Sequence, residues 1–200
     1  MKNSVLFLTF FAALATSHGY LFQCTYKIHD FWTLSNVYSC DAWLLSSGDS
    51  NLVDVSQNHL SGFNNLDVKG LMLHDQYTTI LPGRISSFFP NLEVLDIFRS
   101  RLNYLQRSDL EGFLNLKVLA LYINEITYVP YNLFERNLKM TSISFISNPV
   151  RNIGFGAFDH LTQLTSLRLE GTCFDRGVDN DRAVVLDMLR TVYYSCNALD

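Results

Sequence analysis

The sequence predicts an α/β solenoid: a curved stack of repeats with a parallel sheet on the concave face, a largely irregular convex side, and disulfide caps at both ends. Three observations carry this. A hydrophobic phrase recurs every 24 residues, the phrase alternates as a strand does, and four cysteines fall as one pair near each end. Two hundred residues suit one domain, and 48% hydrophobic residues are enough to fill its core. The net charge of -4, with no run of like charge, excludes the basic face that nucleic acid or an anionic membrane would require.

In chain order, residues 1–19 read as a signal peptide. Lys2 supplies the positive start, Val5 to Ala15 is unbroken apolar sequence, and small residues follow, with cleavage after Ser17 or Gly19. The run is too short for a membrane span. No later stretch is apolar enough to span, and the C-terminal residues carry no hydrophobic tail for a lipid anchor. The expectation is a secreted, extracellular, soluble protein. Residues 20–50 are expected to form an N-terminal cap, residues 51–172 the repeats, and residues 173–200 a C-terminal cap. Four cysteines allow three connectivities. The long tract between Cys40 and Cys173 favours pairing within each end, Cys24 with Cys40 and Cys173 with Cys196.

Repeats start near residues 68, 92, 116, 140 and 164, behind a cap repeat near 51–67. Val68, Leu71, Leu73 are followed by Leu92, Leu95, Ile97; Leu116, Leu119, Leu121; Met140, Ile143, Phe145; and Leu164, Leu167, Leu169. Leu102, Ile126 and Val150 hold a second register, Leu105, Val129 and Ile153 a third, and Leu110, Phe134 and Phe158 a fourth. In the cap repeat Val53, Val55, Asn58 and Leu60 make a shorter strand-like phrase. Each strand turns its motif side chains inward, and one repeat cannot bury them alone, so stacking builds a continuous core.

The phrase L-x-x-L-x-L-x-x-N-x-L at this copy number resembles the leucine-rich-repeat superfamily in its 24-residue extracellular form. The chain is also similar to short secreted leucine-rich-repeat proteins of insects, through Phe22-Gln23-Cys24, Phe31-Trp32, Tyr38-Ser39-Cys40, Phe88-Phe89-Pro90-Asn91-Leu92 and Cys173 in the last repeat. The resemblance implies a horseshoe segment in which Asn124 and Asn148 hydrogen-bond the backbone at the bend. Gln76, Ser100 and Thr172 stand where asparagine is preferred, and each can still donate and accept. Cys24 to Cys40, with Phe31 and Trp32 between, looks like the N-terminal cap. At the other end a helix is expected from Asp179–Asp181 through Arg190, with Val184, Val185, Met188, Leu189 and Val192 on one side.

Chemistry-bearing motifs are missing. There is no Gly-x-Ser-x-Gly, no phosphate-cradling glycine loop, no His-Glu-x-x-His and no metal-ligand spacing, so no enzyme, cofactor or metal is expected. Strand alternation instead gives a surface. Three outward columns run Ser56, His74, Phe98, Tyr122, Ile146, Glu170; Asp54, Met72, Asp96, Ala120, Ser144, Arg168; and Leu52, Gly70, Val94, Val118, Ser142, Ser166. Val94, Phe98, Val118, Tyr122 and Ile146 make an apolar centre with His74 and Arg99 beside it and polar ends, the anatomy of a protein-binding patch. The expected function is extracellular protein–protein recognition through the concave face. The alternative is a structural protein that self-associates, as a homodimer, through the same patch.

Overall fold

Alternation within each phrase makes a strand, and the 24-residue recurrence sets one strand per turn of the solenoid. The computed structural model describes residues 19–45 and 51–197, so the expected leader lies outside the described residues apart from Gly19. Strands β1 (Tyr20–Phe31), β2 (Leu34–Leu45) and β3 (Leu52–Val55) precede the repeats. The repeat strands are β4 (Gly70–His74), β5 (Val94–Phe98), β6 (Val118–Ala120), β8 (Ser142–Ser144) and β10 (Ser166–Arg168). They pair in parallel with Leu71, Leu95, Leu119, Ile143 and Leu167 side by side, the pairing the period dictates. All five are fully buried, as are Leu73, Ile97, Leu121, Phe145 and Leu169 in the next inward row.

The convex side is built from short pieces. Helices α1 (Ile85–Phe88) and α2 (Arg107–Leu110) are single turns, and β7 (Tyr128–Val129) pairs with β9 (Asn152–Ile153) in a separate two-stranded sheet. Phe134 and Phe158 stack 5.6 Å apart beneath it.

Each strand is followed by a bend. Asp75, Arg99, Ile123 and Ser147, one per repeat, all have positive φ, and Gly171 occupies the same place in the last repeat. Glycine suits that left-handed conformation, whereas β-branched Ile123 is strained in it. The amide ladder then ties one bend to the next. Asn124 accepts from the N–H groups of Ser100 (3.0 Å) and Leu102 (3.2 Å) and donates to the Ile97 carbonyl (2.8 Å). Asn148 accepts from Ile126 N–H at 3.1 Å and donates to the carbonyls of Leu121 and Phe145. The replacements also donate or accept at the bend. The Ser100 hydroxyl reaches the Leu73 carbonyl (2.9 Å), Gln76 accepts from Leu44 N–H (2.7 Å), and the Thr172 hydroxyl donates to the Leu169 carbonyl (2.7 Å).

The N-terminal cap departs from the expectation of a simple repeat-like strand in front of β4. Chains β1 and β2 form a long antiparallel hairpin, closed by the Cys24–Cys40 disulfide, and it is β2 that pairs with β4, through Cys40 beside Leu71. Strand β3 pairs with the far side of β1. With β11 (Gly177–Val178) at the far edge, the sheet order is β11-β10-β8-β6-β5-β4-β2-β1-β3, so the hairpin is inserted between the expected cap repeat and the first full repeat. Ser56 therefore does not neighbour His74. Its hydroxyl accepts from Cys24 N–H at 2.8 Å. Leu52, expected outward, is fully buried, because the register shifts between the pairs Tyr20–Leu52 and Leu21–Asp54. Leu52 N–H also reaches the Gly83 carbonyl on the convex side (2.9 Å), so the sheet wraps the raw end of the core.

At the other end β11 (Gly177–Val178) turns back antiparallel on β10, and α3 (Arg182–Asn197) packs over the last repeat. The helix buries Val185, Met188, Leu189, Val192, Tyr193 and Cys196, with Val184 at the margin, and Cys196 returns to Cys173. It runs past the expected end at Arg190 because Tyr193 and Cys196 continue its buried stripe. Asp181 accepts from Val184 N–H at 3.1 Å and caps the helix.

Candidate protein-binding face

The outward columns of the repeats do face the concave side, but half of them are not open. Beyond the main core a second, smaller one exists, made of Phe31 and Val37 from the hairpin and Met72, Val94 and Val118 from the concave face, with Leu34 against it. The hairpin end thus folds over the sheet. Its bend has local causes: the pairing register shifts between His29 and Phe31, Asn36 has φ 57°, and Asp30 accepts from Asn36 N–H at 2.7 Å. Gly70 makes room for it, since a Cβ there would stand 3.0 Å from the Phe31 ring and 2.4 Å from the Ser39 hydroxyl. Val94 and Val118, expected as exposed partner-binding residues, are fully covered. The correction has a simple physical reason: an apolar strip on a sheet is buried by the nearest apolar segment, and here that segment belongs to the same chain.

What remains open lies toward the C-terminal end. Phe98, Tyr122 and Ile146 are half-buried, and the Trp32 ring, 60% exposed at the hairpin turn, stands 5.4 Å from that of Tyr122. Trp32, Tyr122, Ile146, Ser166, Arg168 and Asp179 surround a cleft of about 420 Å³. Arg168 is held at its wall by Glu170 (2.8 Å) and by Asp179, which pairs across the concave rim rather than standing at the start of α3 as expected. Burial of the Tyr122 ring raises its hydroxyl above the ordinary tyrosine range.

The other two expected residues form the rim of the opposite edge. His74 Nε2 lies 3.2 Å from an Asp96 oxygen, close enough for an ion pair though not in good hydrogen-bond alignment. The neighbouring carboxylate raises the His74 pKa above its ordinary value, against the opposing effect of partial burial. The His74 ring meets Phe98 edge-on at 5.7 Å. Arg99 is exposed, pairs with Asp75 at 2.5 Å and lies 5.2 Å over the Phe98 ring. The Arg99 guanidinium in turn holds the Asp75 carboxyl below the usual range.

Of the seven residues the sequence singles out, five therefore share the open rim and cleft, and two form the floor under the hairpin. Sequence reasoning assigned Trp32 to the cap alone. The available signal was the Phe31-Trp32 pair between two alternating runs, which places one ring on each side of a hairpin turn. Among the described residues no cluster of three His, Cys, Asp or Glu side chains could hold a metal ion, and no helix is long and apolar enough to cross a membrane.

No protein-family model matches the chain, and no curated protein does. Solved structures do. A chain in the complex of Toll with Spatzle, a molecular hub in Drosophila development and innate immunity, superposes with a TM-score of 0.51 at 21% identity, over 62% of this chain and 17% of that one. The fold is that of the leucine-rich-repeat solenoids. A chain of the LRIM1/APL1C complex gives a TM-score of 0.52 at 18% identity, over 76% of this solenoid and 31% of that chain. This solenoid thus spans less than a third of the length of either neighbour.

Proposed function

We propose that this solenoid is a secreted recognition module that binds an extracellular protein on a composite concave site, part repeat sheet and part N-terminal hairpin. The observation that carries the reading is the Trp32–Tyr122 pair, an exposed indole beside a half-buried phenol. Ile146 and the anchored Arg168 adjoin it. Tryptophan, tyrosine and arginine are the side chains that most often dominate binding energy at protein interfaces. Phe98, His74 and Arg99 extend the same rim. Val94 and Val118 contribute as the packed floor that holds the hairpin in place. Two disulfides support an oxidising, extracellular setting. The two structural neighbours were solved in complexes with other proteins, Toll with Spatzle and LRIM1 with APL1C, which favours recognition over catalysis here.

The test compares tagged protein with its Trp32→Ala/Tyr122→Asp double variant in the source organism's extracellular fluid, with retained proteins identified by mass spectrometry. A protein held by the first and lost by the second supports the composite site. Equal retention by both sinks it. Light scattering on the purified pair reads the self-associating alternative: a dimer lost in the double variant, with no foreign protein retained, assigns the patch to a second copy.

A further inference from the structure

The convex flank carries a second constellation that the concave reading does not use. Beside the two-stranded sheet, Tyr128, Asn152, Phe155, Tyr193, Tyr194 and Asn197 line an open cleft of about 830 Å³. Three elements bring them together. Tyr128 on β7 stands opposite Asn152 on β9, Phe155 follows in the turn after Gly154, and the other three come from the last two turns of α3. The floor is fixed: Tyr193 is buried, its hydroxyl accepts from Phe158 N–H (3.1 Å) and donates to Asp159 (2.7 Å). The walls are aromatic and bare, with Phe155 71% and Tyr194 70% exposed, and Phe155 lies 5.2 Å from the Tyr193 ring.

The polar groups of the cleft are amides and phenols. The Asn197 amide nitrogen is tied to the carbonyls of Ile153 (2.8 Å) and Tyr193 (2.7 Å), which fixes the side chain and leaves its oxygen unpartnered among the described residues. Asn152 makes no side-chain hydrogen bond among them. Among the described residues no Asp, Glu, Lys, Arg or His lines the cleft. Flat aromatic faces want a C–H surface, free amides want hydroxyls, and the lack of charge favours an uncharged occupant. A pyranose ring presents both surfaces at once, apolar on its face and hydroxylated on its rim. A purely apolar occupant would leave the Asn152 amide and the Asn197 oxygen unpaired, at a desolvation cost.

From this juxtaposition of exposed rings with the open Asn152 amide and the open Asn197 oxygen, we propose that the flank cleft binds a neutral oligosaccharide, stacked on Phe155 and Tyr194 and hydrogen-bonded by Asn152 and Asn197. The site is separate from the concave face, so one molecule can hold a glycan and a protein together.

The test uses the full secreted chain. Native gels are cast with the neutral polymers laminarin, mannan or dextran, or with heparin as the charged control, and saturation-transfer NMR is run with chitohexaose. At least one neutral saccharide should retard or saturate the protein. Phe155→Ala and Tyr194→Ala should each weaken that binding about tenfold, the loss expected for one stacking partner. Both rings are exposed, so melting temperatures should stay unchanged and a folding defect is separable. Trp32→Ala should leave saccharide binding intact, which keeps this result independent of the concave-face reading. Three outcomes overturn the proposal: no neutral saccharide bound, binding indifferent to both substitutions, or retardation by heparin alone. A dimer abolished by Phe155→Ala without any saccharide binding would likewise overturn it and make the flank a self-contact.

Discussion

Val94 tests whether the concave face is covered. On an open sheet surface, Val94→Ala would change stability by no more than about 0.5 kcal/mol. In this structure Val94 is fully buried between its own strand and the hairpin, in one cluster with Phe31, Val37, Met72 and Val118. Removing two methyl groups there costs about 0.8 kcal/mol each in transfer and adds a cavity, for a total of about 1–2.5 kcal/mol. Phe31→Ala removes the ring from the other side of the same cluster and should cost about 3–5 kcal/mol. Once the ring is gone, Val94 is no longer covered, so the two losses should not add, and the double variant should fall short of their sum by about 0.5–3 kcal/mol. Urea unfolding with both disulfides intact measures all four corners of the cycle, and a fixed slope across them shows that the comparison holds. Amide exchange in β5 and β6 should speed up in Phe31→Ala. A Val94→Ala change under 0.5 kcal/mol, additive with Phe31→Ala, would refute the covered-face account.

Three further predictions follow from the repeats and the rim. Asn148→Ala strands the buried Ile126 N–H and removes the donor to the Leu121 carbonyl, and should cost about 2–4 kcal/mol, while Asn148→Ser should cost less because Ser100 already fills the equivalent place. Thermal melts resolve the pair, at about 2–4 °C per kcal/mol for a chain of this length. Ile123→Asn should raise stability by about 1 kcal/mol, since asparagine tolerates the left-handed bend that strains isoleucine, and a lower melting temperature would count against the strain. The His74 pKa is raised on folding, so its contribution is fully present below the unfolded value near 6.5 and is lost as pH rises through the folded one. Stability should therefore decline from pH 6 to pH 8 through this group. Asp96→Asn should flatten that decline and move the His74 NMR titration downward, and an unmoved titration would show that Asp96 is not the cause.

Much of the architecture was legible because its signals are local and repeated. The 24-residue phrase assigned every inward leucine from Leu71 to Leu169 to the core, and the bend asparagines took up the bonds their position implied. The left-handed residue after each strand was not legible, because Asp75, Arg99, Ile123 and Ser147 share no side-chain chemistry. Only Gly171 marked the position. The candidate site was half legible. Alternation placed Val94, Val118, Phe98 and Tyr122 on one face correctly, but grouped apolar residues on an outward face call for a cover without saying whose. The structure supplies Phe31 and Leu34 of the same chain for part of it, and leaves Tyr122 and Ile146 beside an exposed Trp32.

The sequence by itself determined the repeat period, the two faces of each strand, the pairing of cysteines within each end, and an apolar stripe for the C-terminal helix. Each follows from spacing along a single segment, where a side chain's face is set by strand or helix geometry. Tertiary structure alone decided that the β1–β2 hairpin enters the sheet beside β4, that β3 moves to the outer edge, and that the hairpin turn closes over Val94 and Val118. Those outcomes depend on which free sheet edge and which apolar strip lie within reach of one another once the chain has stacked. Hydrophobic burial is non-directional, so the pattern along the chain fixes how much apolar surface must be hidden while the assembled shape fixes what hides it.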